Sequence, residues 1–213
     1  MARTTLTTPR GIAVYPRLST PDTKFNKDGL YTIRVRLDQE QVEVQKFLTA
    51  MTQQHKEAVD KARSELPKAK QKSMKIADLP WKKDEAEDGT ESIVMNFKML
   101  SKITSKKTGE SWTQRPAVFD AAGKPLAKEL RVGGGSVVKV AFEVNPFYTG
   151  ALGAGLSLRL KAVQVLELVE WQGGTASSFG FESVAEEEDE TGTPAEATLE
   201  TDSAEDGEED VEF

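Results

Sequence analysis

The chain has 213 residues, with 28 Lys and Arg against 35 Asp and Glu, one His and no Cys. Without Cys there are no disulfides, thiolate metal sites or Cys nucleophile, and a lone His55 cannot build a His-rich metal centre or a pair of His acid/base groups. The formal net charge of −7 hides a division: Glu182 to Phe213 carries 15 acidic residues and no Lys or Arg, so subtracting those 15 from 35 leaves 20 acidic against 28 basic residues in 1–181. A body at +8 followed by a tail at −15 is the charge pattern of a polyanion-binding domain with an acidic appendage.

No apolar run approaches the roughly 18 residues of a membrane span, and Met1-Ala2-Arg3-Thr4-Thr5 lacks the apolar stretch of a signal peptide. A soluble intracellular protein with no membrane partner is expected. Residues 4–18 read as one or two short strands broken near Pro9-Arg10-Gly11, followed by a loop from Ser19 to Asp28. From Gly29 to Leu37 the sequence alternates, with Tyr31, Ile33, Val35 and Leu37 on one face and Thr32, Arg34 and Arg36 on the other. A helix over about 39–66 follows, capped by Asp38 with Gln41 three residues on. Val44, Phe47, Leu48, Met51, His55, Ala58, Val59 and Ala62 recur in it at helical spacing. A basic insertion at about 67–90 (Lys68, Lys70, Lys72, Lys75, Lys82, Lys83, with Trp81) reads as a long loop with room for a short helical turn.

Strands then return. Ile93, Met95, Phe97 and Met99 face inward with Asn96 and Lys98 outward; Lys102 to Glu110 is a basic loop or hairpin turning at Gly109. Trp112 to Asp120 is a strand that Pro116 confines to an edge, and a turn follows at 120–124. Val138, Val140, Phe142 and Val144 oppose Lys139, Ala141 and Glu143, and Leu156, Leu158, Leu160 and Ala162 oppose Ser157, Arg159 and Lys161. The glycine clusters at 133–135 and 150–155 lead into strands rather than helices, so they are turns and barrel corners, not nucleotide cradles. Short strands, one long helix and glycine at the bends give a mainly β chain folded as a small antiparallel barrel.

The cations on the polar strand faces can align into one stripe that tracks phosphates. That stripe comprises Arg34, Arg36, Lys98, Lys139, Arg159 and Lys161, with Lys102, Lys106, Lys107 and Arg115 from the adjoining loops. Stacking of bases needs exposed rings; Tyr15, Phe25, Trp81, Trp112, Phe147 and Tyr148 lie in loops, at strand starts or beside cations, and Tyr15, Trp112, Phe147 and Tyr148 are the ones expected to stack. His55 reads as a helix-surface residue. Asp84, Glu85, Glu87 and Asp88 lack metal-ligand spacing, and no nucleophile has a base, so neither cofactor nor enzymatic activity is expected. The tail, 182–213, is too poor in large apolar residues to fold alone. It ends in Glu208-Glu209-Asp210-Val211-Glu212-Phe213, where charge steers onto a basic partner and the ring with its terminal carboxylate fits a small pocket.

An acidic tail ending in phenylalanine resembles the C-termini of bacterial and phage single-stranded DNA-binding proteins. The body is similar to the branch of that family found in short-tailed phages, through Arg115-Pro116-Ala117-Val118-Phe119-Asp120, Gly134 to Val140, Gly153 to Leu166 and Phe179-Gly180-Phe181. The resemblance covers most of 90–213. It implies an OB-fold domain at 1–181 with an added helix, a basic and aromatic groove for single-stranded DNA, and a tail that contacts replication and recombination enzymes such as a polymerase, helicase/primase or nuclease. It also implies homodimers with the tail in the DNA groove, and work in the cytoplasm of an infected bacterium during DNA replication, recombination and repair. Two other readings stay open: an acidic-tailed adaptor or chaperone for basic proteins, and a duplex-binding or annealing protein.

Overall fold

A computed structural model of the chain describes residues 5–24, 26–85, 91–105, 108–127 and 130–170. The elements are β1 (Thr5–Thr7), β2 (Gly11–Asp22), β3 (Leu30–Asp38), α1 (Val42–Glu65), α2 (Lys68–Gln71), β4 (Trp81–Glu85) and β5 (Glu91–Leu100). They continue as β6 (Lys102–Thr104), β7 (Ser111–Thr113), β8 (Ala117–Phe119), β9 (Val137–Thr149) and β10 (Gly153–Glu167). Five of these strands close into a ring: β2–β3, β3–β5, β9–β10 and β9–β2 pair antiparallel, and β5–β10 pairs parallel. This is the mainly β, OB-like barrel the sequence leads one to expect, with one departure from antiparallel order. A parallel pair needs a crossover, supplied here by the chain from β6 through β9. Outside the ring, β1 extends β9, β8 extends β10, β4 extends β5, and β6–β7 forms a separate hairpin.

Period-two alternation produces the core. Ile33, Val35, Leu37, Met95, Phe97, Val138, Val140, Phe142 and Leu160 are fully buried inside the ring. The Phe97 and Phe142 ring centroids lie 5.0 Å apart, and Phe47 of α1 meets Phe142 edge-on at 6.1 Å. The helix thus seats Val44, Met51, Ala58 and Val59 against the barrel, on the β9–β10 side.

Four sequence expectations change. Asp38 does not cap the helix: it stays in β3 opposite Ser92, and its carboxylate accepts from the Glu40 N–H (2.9 Å) and Gln41 Nε2 (3.1 Å). The helix begins three residues later than expected, after Gln41, because the ladder holds Asp38 extended. β2 continues to Asp22, into the expected loop, by pairing with β3. The Trp112–Asp120 strand is two strands in different sheets, separated around Pro116, which has no N–H for a ladder.

The fourth change matters for function. Segment 67–85 holds α2, the short helical turn for which the sequence left room, but instead of a long loop it also holds β4, which pairs with β5 from Trp81↔Met95 to Glu85↔Glu91. It is fastened at residues 75–77: the Ala77 N–H donates to the Ala154 carbonyl (2.8 Å), and the Ala154 N–H donates to the Lys75 carbonyl (3.0 Å). His55, far from being a surface residue, is buried and donates from Nε2 to the Ala77 carbonyl at 3.1 Å. That bond satisfies an imidazole at the helix–barrel seam, where an unpaired polar group would be costly. Gly153 makes the close approach possible. It has φ +90°, and any Cβ there would collide with the Lys75 carbonyl.

Gly153→Ala is therefore expected to destabilise the protein by about 1–3 kcal/mol through backbone strain. It should also speed hydrogen exchange at the Ala77 and Ala154 amides. Gly150→Ala, at an open position, should change the urea unfolding free energy by less than about 0.5 kcal/mol.

Candidate nucleic-acid interface

The outward positions of the ring converge by register. Thr32 lies opposite Lys98, Arg34 opposite Asn96, and Arg36 opposite Val94, so the polar faces of β3 and β5 form one surface. Across the parallel closure Arg159 stands opposite Lys98, and on β10 and β9 Ser157 lies opposite Asn145 and Arg159 opposite Glu143. Lys82 of β4 sits opposite Val94 on the same side. Between these elements lies a groove of about 900 Å³ with Arg34, Asn96, Lys98, Gln114 and Arg159 among its polar lining. Leu79, Trp81, Leu100, Ile103 and Leu156 give it apolar surface. Leu79 and Leu100 are each 39% exposed, which is uneconomical for a surface with nothing to cover.

The cations divide into held and open groups. Arg36 Nη2 pairs with Asp84 Oδ2 of β4 at 3.2 Å. Arg159 Nη2 donates to Gln114 Oε1 at 3.1 Å, and its Nη1 lies 3.9 Å from Glu143 Oε2. Lys161 Nζ pairs with Glu143 Oε1 at 3.2 Å. Glu143 is itself buried, so its charge is stabilised by both cations and orients them. Arg34 and Lys98 have no ion pair among the described residues and point their charge outward.

The structure therefore brings Arg34, Lys98 and Arg159 to one groove, with Arg36 and Lys161 at its borders through Asp84 and Glu143. Lys139 is not among its lining residues and borders a second hollow further along β9. Lys102 is exposed on the β6–β7 hairpin and Arg115 is exposed between β7 and β8, next to the groove residue Gln114. The rings expected to stack are dispersed. Tyr15 is 78% exposed on a bulge of β2 at φ 48°. Trp112 is the cross-strand partner of the groove residue Ile103 but is not itself in the lining. Phe147 is half-buried with its ring against Gly155, and Tyr148 flanks the β9–β10 turn. Lys106, Lys107, Phe25 and the tail from Glu208 to Phe213 lie outside the described residues.

Sequence reasoning passed over Asp84, Gln114 and the negative member of the stripe, Glu143, and placed Trp81 in a loop. For Glu143 the signal was present, since alternation puts it on the polar face with Lys139. For Trp81 and Asp84 it was absent, because one tryptophan followed by four charged residues does not announce a strand. Among the described residues no helix is long and apolar enough to cross a membrane, and no cluster of three or more His, Asp or Glu could hold a metal ion.

Comparison with known proteins bears on the family and the fold. A family model described as single-stranded DNA-binding protein, bacteriophage T7, matches residues 10–168. The single-stranded DNA-binding protein of Enterobacteria phage T3 is 26% identical over 166 residues, covering 74% of this chain and 70% of that protein. That of Escherichia phage T7 is 27% identical over 158 residues, covering 70% and 66%. In fold the chain is similar to the crystal structure of gp2.5, a single-stranded DNA-binding protein encoded by bacteriophage T7. The TM-score is 0.68 at 24% identity, over 87% of this chain and 97% of that one. It is also similar to the single-stranded DNA-binding protein from bacteriophage Enc34 in complex with ssDNA (TM-score 0.51, 14% identity, 79% and 89% covered). With the family model spanning well over half of its length, the chain belongs to the phage T7 single-stranded DNA-binding protein family.

Proposed function

We propose that the chain binds single-stranded DNA with little sequence preference, along the groove formed by β3, β5 and β10 with β4 as one wall. The observation that carries this reading is the convergence of Arg34, Asn96, Lys98 and Arg159 beside apolar surface from Leu79, Trp81, Leu100 and Ile103. Phosphates of a strand lying there meet Arg34 and Lys98, and their condensed counterions are released. Unpaired bases meet the apolar surface of Leu79, Leu100 and Ile103, which accepts any base face, while Trp81, opposite the buried Met95, packs against the core and stiffens the groove wall. Duplex binding fits less well. A duplex offers this groove phosphates but no base faces, and Arg36, Arg159 and Lys161 are already partly neutralised by Asp84 and Glu143. The family is a non-enzymatic one.

The acidic tail completes the reading. We assign the DNA-binding domain to 1–181 and the regulatory tail to 182–213. Tethered at high effective concentration, a segment at −15 competes with phosphates for a body at +8. DNA displaces it, and Phe213 with its flanking acidic residues is then free to recruit replication and recombination enzymes. The setting is phage DNA metabolism in the host cytoplasm.

Titration with poly-dT, followed by Trp fluorescence across a salt series, tests the groove. Arg34→Ala and Lys98→Ala should each flatten the slope of log affinity against log salt by about 0.7, one phosphate contact apiece. Leu100→Ser, at an exposed apolar position of the groove, should weaken binding by about 1 kcal/mol at all salts. No quenching by the wild-type protein at low salt refutes the reading outright. Glu143→Gln should cost about 1–3 kcal/mol in urea unfolding while raising affinity for DNA, because it releases Arg159 and Lys161. Removal of 182–213 should tighten DNA binding and abolish capture of partner enzymes. Equal salt-dependent affinity with and without the tail would reject the competition.

A further inference from the structure

The outer face of the β9–β10 ribbon does not end at the groove. Cross-strand partners lie on the same side of a sheet, and the ladder runs through Asn145↔Ser157, Glu143↔Arg159, Ala141↔Ala162 and Lys139↔Gln164. Asn145, Ser157 and Arg159 belong to the main groove. Lys139, Ala141, Ala162 and Gln164 belong instead to a second hollow of about 320 Å³, bounded by Thr7 of β1 and Phe119 of β8. Glu143, between the Arg159 and Lys161 charges, marks the joint between them. The register shift between Leu160 and Ala162 keeps Ala162 on the outer face beyond that joint.

Two features give the hollow a chemistry. Lys139 is half-buried there, and among the described residues it has no carboxylate to neutralise it, whereas the cations at the joint do. A partly desolvated ammonium without a counter-charge favours an anion. Phe119, also half-buried, presents a ring on the opposite border, and Gln164 is fixed by donating from Nε2 to the Ala121 carbonyl at 3.1 Å. An anion site, a ring and a small floor in line with a polyanion groove match one more phosphate and base of the same strand.

We infer that this hollow is a second subsite for the strand held in the main groove, reached by crossing the Glu143 joint, with Lys139 as its phosphate contact. The inference rests on the proposed single-stranded DNA binding. From Asn145 to Lys139 the ribbon advances six residues, roughly 20 Å at a strand's rise. The subsite therefore lengthens the bound track by a few nucleotides instead of strengthening the first contacts.

The test uses the full-length protein and oligo-dT from about 4 to about 16 nucleotides, the range a fold of this kind occludes. Ala141→Leu plugs the hollow without altering charge. It should weaken binding of the longest oligonucleotide about tenfold, comparable to one lost base contact, shorten the occluded length by about three nucleotides, and leave the shortest within about twofold. A second variant, Lys139→Gln, should reduce the difference in salt slope between long and short oligonucleotides by about 0.7. Equal losses at all lengths, or none, in a folded variant overturn the second subsite while leaving the main groove in place. Failure of the wild-type protein to bind any length overturns both.

Discussion

The parallel pairing of β5 with β10 is the constraint on which the surface depends. It closes the ring, and through the register Lys98↔Arg159 it sets side by side two cations that are 61 residues apart in the sequence. Slipping that register by one residue would turn every outward cation of β10 into the core and every inward leucine to water, because side chains alternate with period two. The hydrophobic content of Phe97, Phe142, Leu158 and Leu160 thus fixes the electrostatics of the opposite face. Burial decides where the charges go.

Those charges are arranged with restraint. A surface made only of Arg and Lys would hold any polyanion, but two carboxylates, Asp84 and Glu143, are built in among them. Each holds long side chains in defined positions and lowers the net positive field. Glu143, being buried, acts strongly, since ion pairs away from water are less screened. What remains open, Arg34 and Lys98, lies next to exposed leucines and Trp81. In the proposed binding mode, apolar surface that only an unpaired base can cover discriminates between strands, while the open cations supply attraction.

The wall of the groove depends on an arrangement far from it in sequence. His55 on α1 holds the Ala77 carbonyl, Ala77 and Lys75 bracket Ala154, and the chain then runs directly into Leu79, Trp81 and Asp84. Helix packing is in this way linked to groove shape through a handful of hydrogen bonds. β4 itself is a short strand with charged residues at 82–84, held by ladder bonds to β5 and by Trp81, which packs against the barrel core.

The class of fold, most of the core and the sign of the surface could be read from the residues alone. Strict alternation at 31–37, 93–99, 138–144 and 156–160 is a local property that burial of one face imposes, and the division of charge between 1–181 and 182–213 is a matter of counting. The sequence could not determine which cations share a surface. Lys98 and Arg159 are joined by a closure between distant strands, and Lys139, with the same local pattern, borders a separate hollow. Nor could it show that 81–85 is a strand, which depends on β5, or what His55 bonds, although its place in the apolar spacing of α1 already put it on the buried face. Side-chain facing is written in neighbours two residues away, whereas adjacency of strands depends on the whole chain closing on itself, and only the tertiary structure decided that.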